Sequence, residues 1–220
     1  MNLDLIANGL LMYLGLIVLL TFHEFGHAWV ALKCGDDTAR LQGRCSLNPI
    51  VHIDPIGTVI LPLAMIFLAM AGSSLSHFLI GWAKPVPVNP HNLRRPHVDD
   101  ILVTLAGPAM NLLLAVALMG LARLGLAFNS ENLLQLSVQM ASLSLFLAFF
   151  NLIPIPPLDG SQILRVLTNM SYETYWQFSR YGFIAIILVI QIPFVRELLG
   201  TATYGTLGLL ALGFGFPPLH

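Results

Sequence analysis

The chain of 220 residues is 56% hydrophobic and 10% charged, with a net charge of −1 and a mean hydropathy of +0.79. Soluble domains run about 45–50% apolar and about 25% charged, so this is the composition of a membrane-embedded protein, and its ten scattered basic residues exclude a nucleic-acid surface. The two cysteines, in LKCGDD and GRCSLN, make neither a disulfide framework nor a close-spaced metal pair and read as free thiols.

Segment one, Leu5 to Leu32, opens after MNLDLIANG, which has no basic start of the kind that precedes a cleaved leader, so an uncleaved first helix is expected. Its length suffices for a span, which needs roughly 20 residues. A polar stretch follows, KCGDDTARLQGRCSLNPIVHIDPIGT, read as loop with one or two short strands in ARLQ and RCSL. Segment two, Thr58 to Ile80, is interrupted by Pro62 and by the GSS at 72–74. The proline-rich GWAKPVPVNPHNLRRPHVDD cannot be a regular helix. Segments three (Ile101–Leu126) and four (Leu133–Ile153) are apolar, and the latter ends in NLIPIPPLDG. Two further apolar segments cover Tyr181–Val195 and Thr201–Phe216. The expectation is one all-α polytopic domain over 1–220, with a core over 5–168 and C-terminal spans over 178–216. It has five to six transmembrane segments, one re-entrant or bent hairpin, and a small membrane-associated β element.

TFHEFGHAWV lies at the end of segment one. Residues four apart share a helix face, so His23 and His27 can reach one cation with Glu24 beside them. This is the HExxH pattern of two zinc ligands and a carboxylate base. A charge at the bilayer centre costs on the order of 3 kcal/mol or more, so an intramembrane Glu between two His points to function. Gly26 is expected to give room near the metal. A catalytic zinc site commonly uses three protein ligands. The carboxylates that could complete this one are Asp54, Asp99, Asp100 and Asp159. Asp54 suits a turn, and Asp99 and Asp100 suit a helix start. Asp159 follows Pro154, Pro156 and Pro157, which break a membrane helix; irregular backbone at that depth needs protein or water around it. Asp159 is therefore the preferred third ligand, although it could also cap the helix GSQILRVL. His52, His77, His91 and His97 are left outside the site.

HEFGH in the first helix, GPAMN opening a later one, and NLIPIPPLDG after the next resemble the site-2 protease family of intramembrane metalloproteases. SLNPIVHIDPIGT and GWAKPVPVNP are similar to its compact prokaryotic branch. The resemblance covers residues 15 to 165. It implies one Zn2+ on His23, His27 and Asp159, with Glu24 as acid/base. It makes Asn111 a catalytic or substrate-positioning group that meets the oxyanion, and gives Asn151 a lesser part in substrate binding. It further implies a multi-pass protein of a prokaryotic plasma membrane that cuts transmembrane protein substrates. The chain has no room for a PDZ domain or a CBS pair, so regulation is expected from separate membrane partners. The alternatives are a divalent-metal transporter and a relative that binds substrates without cutting them.

Basic residues concentrate on the cytosolic side. Placing Lys33, Arg40, Arg44, Lys84, Arg94, Arg95, Arg165 and Arg180 inside leaves only Arg123 and Arg196 outside. Both flanks of segment two are then cytosolic, which predicts that it turns back, and that segments three and four return Asp159 to the level of His23 and His27. In this reading ARLQGRCSL offers a strand edge to an unwound substrate, and the WAKPVPVNP loop acts as part of a gate.

Overall fold

A computed structural model describes residues 3–70 and 81–216. Its elements are helical: α1 (Leu3–Cys34), α2 (Thr38–Leu41), a 3-10 turn (Pro49–His52), a π turn (Pro55–Ile60), α3 (Leu61–Met70), a second 3-10 turn (Pro90–Asn92), α4 (Pro96–Ala127), α5 (Glu131–Asn151), α6 (Asp159–Leu167), α7 (Tyr172–Ser179), α8 (Gly182–Ile190) and α9 (Pro193–Gly213). Helices over Ala7–Cys34, Pro96–Ala127 and Glu131–Asn151 are long and apolar enough to cross a membrane. The pair α8 and α9, bent by 82°, forms at most a broken fourth span. The described residues thus give three or four spans rather than five to six. Hydropathy counted the stretch that holds α8 as a span, but a helix of nine residues reaches only about 14 Å of a roughly 30 Å hydrocarbon layer.

The expected β element is absent among the described residues. ARL lies in α2, whose last turn is closed by Arg44 N donating to Ala39 O at 2.8 Å. Gly43 takes φ +69, a left-handed turn that glycine adopts without strain. Backbone groups spent on tight local turns cannot form a ladder.

The bent-hairpin expectation meets a specific set of contacts. Trp82 N donates to Gly57 O at 3.2 Å and Lys84 N to His52 O at 2.9 Å. Thr58 Oγ1 donates to Trp82 O at 2.7 Å. The chain that leaves at 57 is therefore back beside its departure point at 82. Residues 71–80, including the GSS and His77, lie outside the described residues.

Helix α4 is the centre of the molecule and packs on both α1 and α5. Small side chains permit close approach between membrane helices, and the α4–α5–α9 core has that character: Ala115, Ala141 and Ala211 alternate with Met119, Leu145 and Leu207. At the α1–α4 crossing, a Cβ on Gly26 would stand 2.7 Å from Ala106 O. Gly26 thus makes room for a neighbouring backbone, not for a metal. GPAMN does not open α4 but lies well inside it, with Pro108 an interior proline.

The extended segment after Trp82 is tied to the end of α1 by Asp36, which is fully buried. Its carboxylate accepts from Asn89 N at 2.7 Å, Asn92 Nδ2 at 3.0 Å and Thr38 N at 3.1 Å. Burial alone would raise its pKa, but these hydrogen bonds hold it below the ordinary carboxylate range. A depressed folded-state pKa contributes stability above the ordinary Asp value, and that stability is lost as pH falls through the folded value. Residues 82–93 should accordingly become protease-sensitive on acidification, and Asp36→Asn should make them sensitive already at neutral pH. Thermal melts in detergent test the helix crossing. Gly26→Ala should lower the midpoint, whereas Gly208→Ala, with nothing within 4 Å, should raise it slightly, since Gly costs roughly 0.5–1 kcal/mol relative to Ala inside a helix.

Candidate metal centre

The site forms where the C-terminal part of α1, the first half of α4 and the start of α6 meet. His23 and His27, one turn apart on α1, point their Nε2 atoms at each other across 3.1 Å. Asp159, first residue of α6, closes the triangle: Oδ2 lies 3.2 Å from His23 Nε2 and Oδ1 lies 3.4 Å from His27 Nε2. Both histidines are buried, and the Asp159 side chain is 18% exposed. Among the described residues this is the one group of His, Cys, Asp or Glu side chains able to share an ion.

The donors fit a metal. With zinc–donor distances of about 2.0–2.1 Å, tetrahedral ligand atoms stand about 3.3 Å apart, close to the three separations observed. Asp159 Oδ2 is buried and makes no aligned hydrogen bond, which is costly for a carboxylate unless a cation serves it. A Cβ on Gly107 would come within 2.3 Å of His27 Nε2 and 2.6 Å of His23 Cε1. Gly107, not Gly26, is therefore the residue that leaves space at the imidazoles.

Each imidazole is held from behind. His27 Nδ1 lies 2.7 Å from Val103 O, so it donates there and presents a free Nε2 lone pair. His23 Nδ1 lies 3.2 Å from the Asn111 carboxamide. The nearer amide atom there is Nδ2; amide oxygen and nitrogen are assigned from the hydrogen-bond network, and with the amide turned so that Oδ1 faces the ring, His23 presents the same tautomer. That orientation also serves Asn111 Oδ1, which is otherwise buried without a partner. Outer partners of this kind orient metal-binding histidines. Asn111 is fully buried and lies apart from the cavity-lining residues. Asn151 does line the cavity, with Nδ2 donating to Leu147 O at 2.9 Å.

Asp159 owes its place to the break after α5. Prolines 154, 156 and 157 stop the helix, and a Cβ on Gly160 would lie 2.1 Å from Leu152 O, so α6 starts hard against the end of α5. The other three acids are committed elsewhere. Asp54 accepts from Ile56 N at 3.0 Å and Gly57 N at 2.7 Å. Asp99 accepts from Arg95 N at 2.8 Å. Asp100 pairs with Arg165. His52 turns its Nε2 to Ser46 O at 2.8 Å, and both cysteines are free.

Glu24 lines the same cavity as the triad. Its Oε2 accepts from Val86 N at 3.0 Å, which lays the extended segment 83–88 across the site. Arg44, buried despite its charge, holds that segment by donating from Nη2 to Lys84 O at 2.6 Å. Gly107, Val103, Val86 and Arg44 were not singled out by sequence. Gly107 had a signal, as the first residue of GPAMN. Val103 and Val86 act through backbone atoms, which carry none.

The cavity measures about 1700 Å³. Besides the triad it is lined by Leu16 and Leu20 of α1, Phe146 of α5, and Ile187 and Leu207 of α8 and α9.

Comparison with known proteins settles the relationship. The profile of peptidase family M50 matches residues 11–130 and 124–190. The chain belongs to peptidase family M50, the site-2 protease family. It is 39% identical over 186 residues to a Bacillus subtilis (strain 168) protein provisionally named zinc metalloprotease YwhC, covering 81% of this chain and 78% of that one. It is 30% identical over 198 residues to a Mycolicibacterium smegmatis protein provisionally named zinc metalloprotease Rip2, covering 84% and 68%. A Mycobacterium tuberculosis (strain H37Rv) protein of the same name is 35% identical over 152 residues, 69% of this chain and 54% of that one. No solved structure matches. Two imidazoles and a carboxylate are a donor set that suits zinc, the metal in those relatives' names. Gly107→Ala should therefore purify folded but depleted of metal, measured as zinc per chain by atomic absorption beside a matched circular-dichroism spectrum.

Proposed function

We propose that this chain is a zinc-dependent intramembrane endopeptidase that hydrolyses peptide bonds within or next to transmembrane helices of other proteins. The observation that carries this reading is that a three-donor cluster and a carboxylate base lie on the wall of one large, mainly apolar cavity between membrane-length helices. A hydrolase of small polar solutes has no use for such walls; an apolar peptide segment does.

His23, His27 and Asp159 hold the ion in this mechanism, and Val103 O and Asn111 fix the two rings. Zinc held there would lower the pKa of a water to about 7 and polarise a carbonyl. Glu24 Oε2 takes the water's proton and returns it to the departing amide nitrogen. The Val86 N–H on Oε2 orients the carboxylate, which keeps further lone pairs for the proton. Asn111, fully buried, acts through His23 and not on the substrate, whereas Asn151, on the cavity wall, is the asparagine that touches it. The centre faces the cytosol, because Lys33, Arg40, Lys84, Arg94 and Arg95 flank this end of the bundle and basic residues are retained on that side. The membrane is the plasma membrane of a prokaryote.

The test is cleavage of single-span substrate proteins by the purified chain in detergent or vesicles, with fragments identified by mass. Glu24→Gln should keep its zinc and lose about 10²–10⁴-fold in rate, the usual contribution of a positioned acid/base. His23→Ala should lose both zinc and cleavage. Undiminished turnover by Glu24→Gln, or zinc flux through the protein without any peptide product, would overturn the assignment.

A further inference from the structure

An ion pair buried beside the cavity has no part in the chemistry above. Arg165 of α6 is 6% exposed, and its Nη2 meets Asp100 Oδ2, near the start of α4. Further contacts surround the pair. Tyr172 OH donates to the same Asp100 oxygen at 3.1 Å. Arg165 Nε donates to Gln162 Oε1 at 2.9 Å, and the guanidinium lies 3.9 Å above the Tyr172 ring. Removing charges from water is expensive, and a buried pair is not in itself a stabilising device. Its position gives it a different use. Asp100 lies one helical turn before Val103, whose carbonyl holds His27 Nδ1. Arg165 lies six residues beyond Asp159, on the same short helix. The pair thus joins the turn that orients one metal-binding imidazole to the helix that carries the third donor.

Helix α6 needs such a tie. At nine residues it is too short to be stable alone, and the chain before it is an irregular proline-rich segment. Gly160 seats its first turn against Leu152 O. That contact fixes where the helix begins, and Ser161 Oγ, 3.0 Å from Tyr175 OH, holds the same first turn. Toward the far end the helix packs on α4, and Arg165 on Asp100 is the polar anchor there.

We infer that Asp100, Arg165 and Tyr172 are positioning residues that set the Asp159 carboxylate against His23 and His27, so that the strength of metal binding is read through an ion pair that never touches the metal. The inference rests on the zinc-site reading above.

The measurement is zinc affinity, by competition with a chelator of known strength, on purified full-length protein alongside its thermal midpoint. Arg165→Gln and Asp100→Asn should each weaken zinc binding by about 10- to 100-fold, the usual effect of losing an outer partner of a metal ligand. The double variant should be little worse than either single one, as coupled partners behave. Arg165→Lys should recover part of the loss, and Tyr172→Phe should show a smaller one. Met119→Ala, in the α4–α5–α9 core and away from the cavity wall, supplies the comparison: it should lower the thermal midpoint and leave zinc affinity unchanged. An Arg165→Gln protein that melts earlier yet binds zinc as tightly as the parent would make the pair a fold contact only and overturn the inference. A parent protein that binds no zinc at all would instead remove the reading on which it rests.

Discussion

Two imidazole nitrogens and a carboxylate stand within about one hydrogen-bond length of each other at the end of an apolar helix. Polar groups withdrawn from water are costly unless they are paired, and in a membrane setting no solvent is available to repair a poor match. Most of the molecule can be understood as what is needed to hold these three groups together. Helix α1 supplies two of them on one face. Helix α4 crosses α1 so closely that it needs glycine at two places, Gly26 for its backbone and Gly107 for the imidazoles. Helix α5 returns the chain, and the proline break after it turns Asp159 into the gap.

The segment from Trp82 to Asn89 is the other organising feature. It is extended without being a strand, pinned at one end by backbone bonds to residues 52–57 and at the other by Asp36. Arg44 grips its middle, and Val86 occupies the carboxylate oxygen that the proposed chemistry uses. Pro85 and Pro87 remove two donors from it, so its backbone has few ways to pair with anything but what it already holds. Glu24 is thus covered by a piece of the chain whose anchors lie outside the site.

Charge counting predicted that segment two turns back, and it grouped Arg44 and Arg165 with the other cytosolic basic residues. Both are buried and bound to internal partners. The chain does come back beside its departure point, where Trp82 N donates to Gly57 O. The expected strands failed for a related reason. ARLQ and RCSL alternate in polarity like an edge strand, but the alternation serves a tight turn that buries Arg44.

What the sequence determined by itself is whatever repeats with the period of a helix or needs no distant partner: the membrane class, the long helices, the shared face of His23, Glu24 and His27, and the break before Asp159. The proline run pointed, among four carboxylates, to the one that lies beside the two histidines. Tertiary structure decided the rest. Among the described residues it gives three or four helices or helix pairs of membrane-crossing length where hydropathy alone expected five or six spans, because a crossing depends on where a helix stops. It moved Asn111 behind His23, gave Gly107 the place first assigned to Gly26, and put Arg165 on Asp100. These are relations between residues far apart in the chain, set by helix crossings and by backbone atoms, and neither residue type nor spacing encodes them.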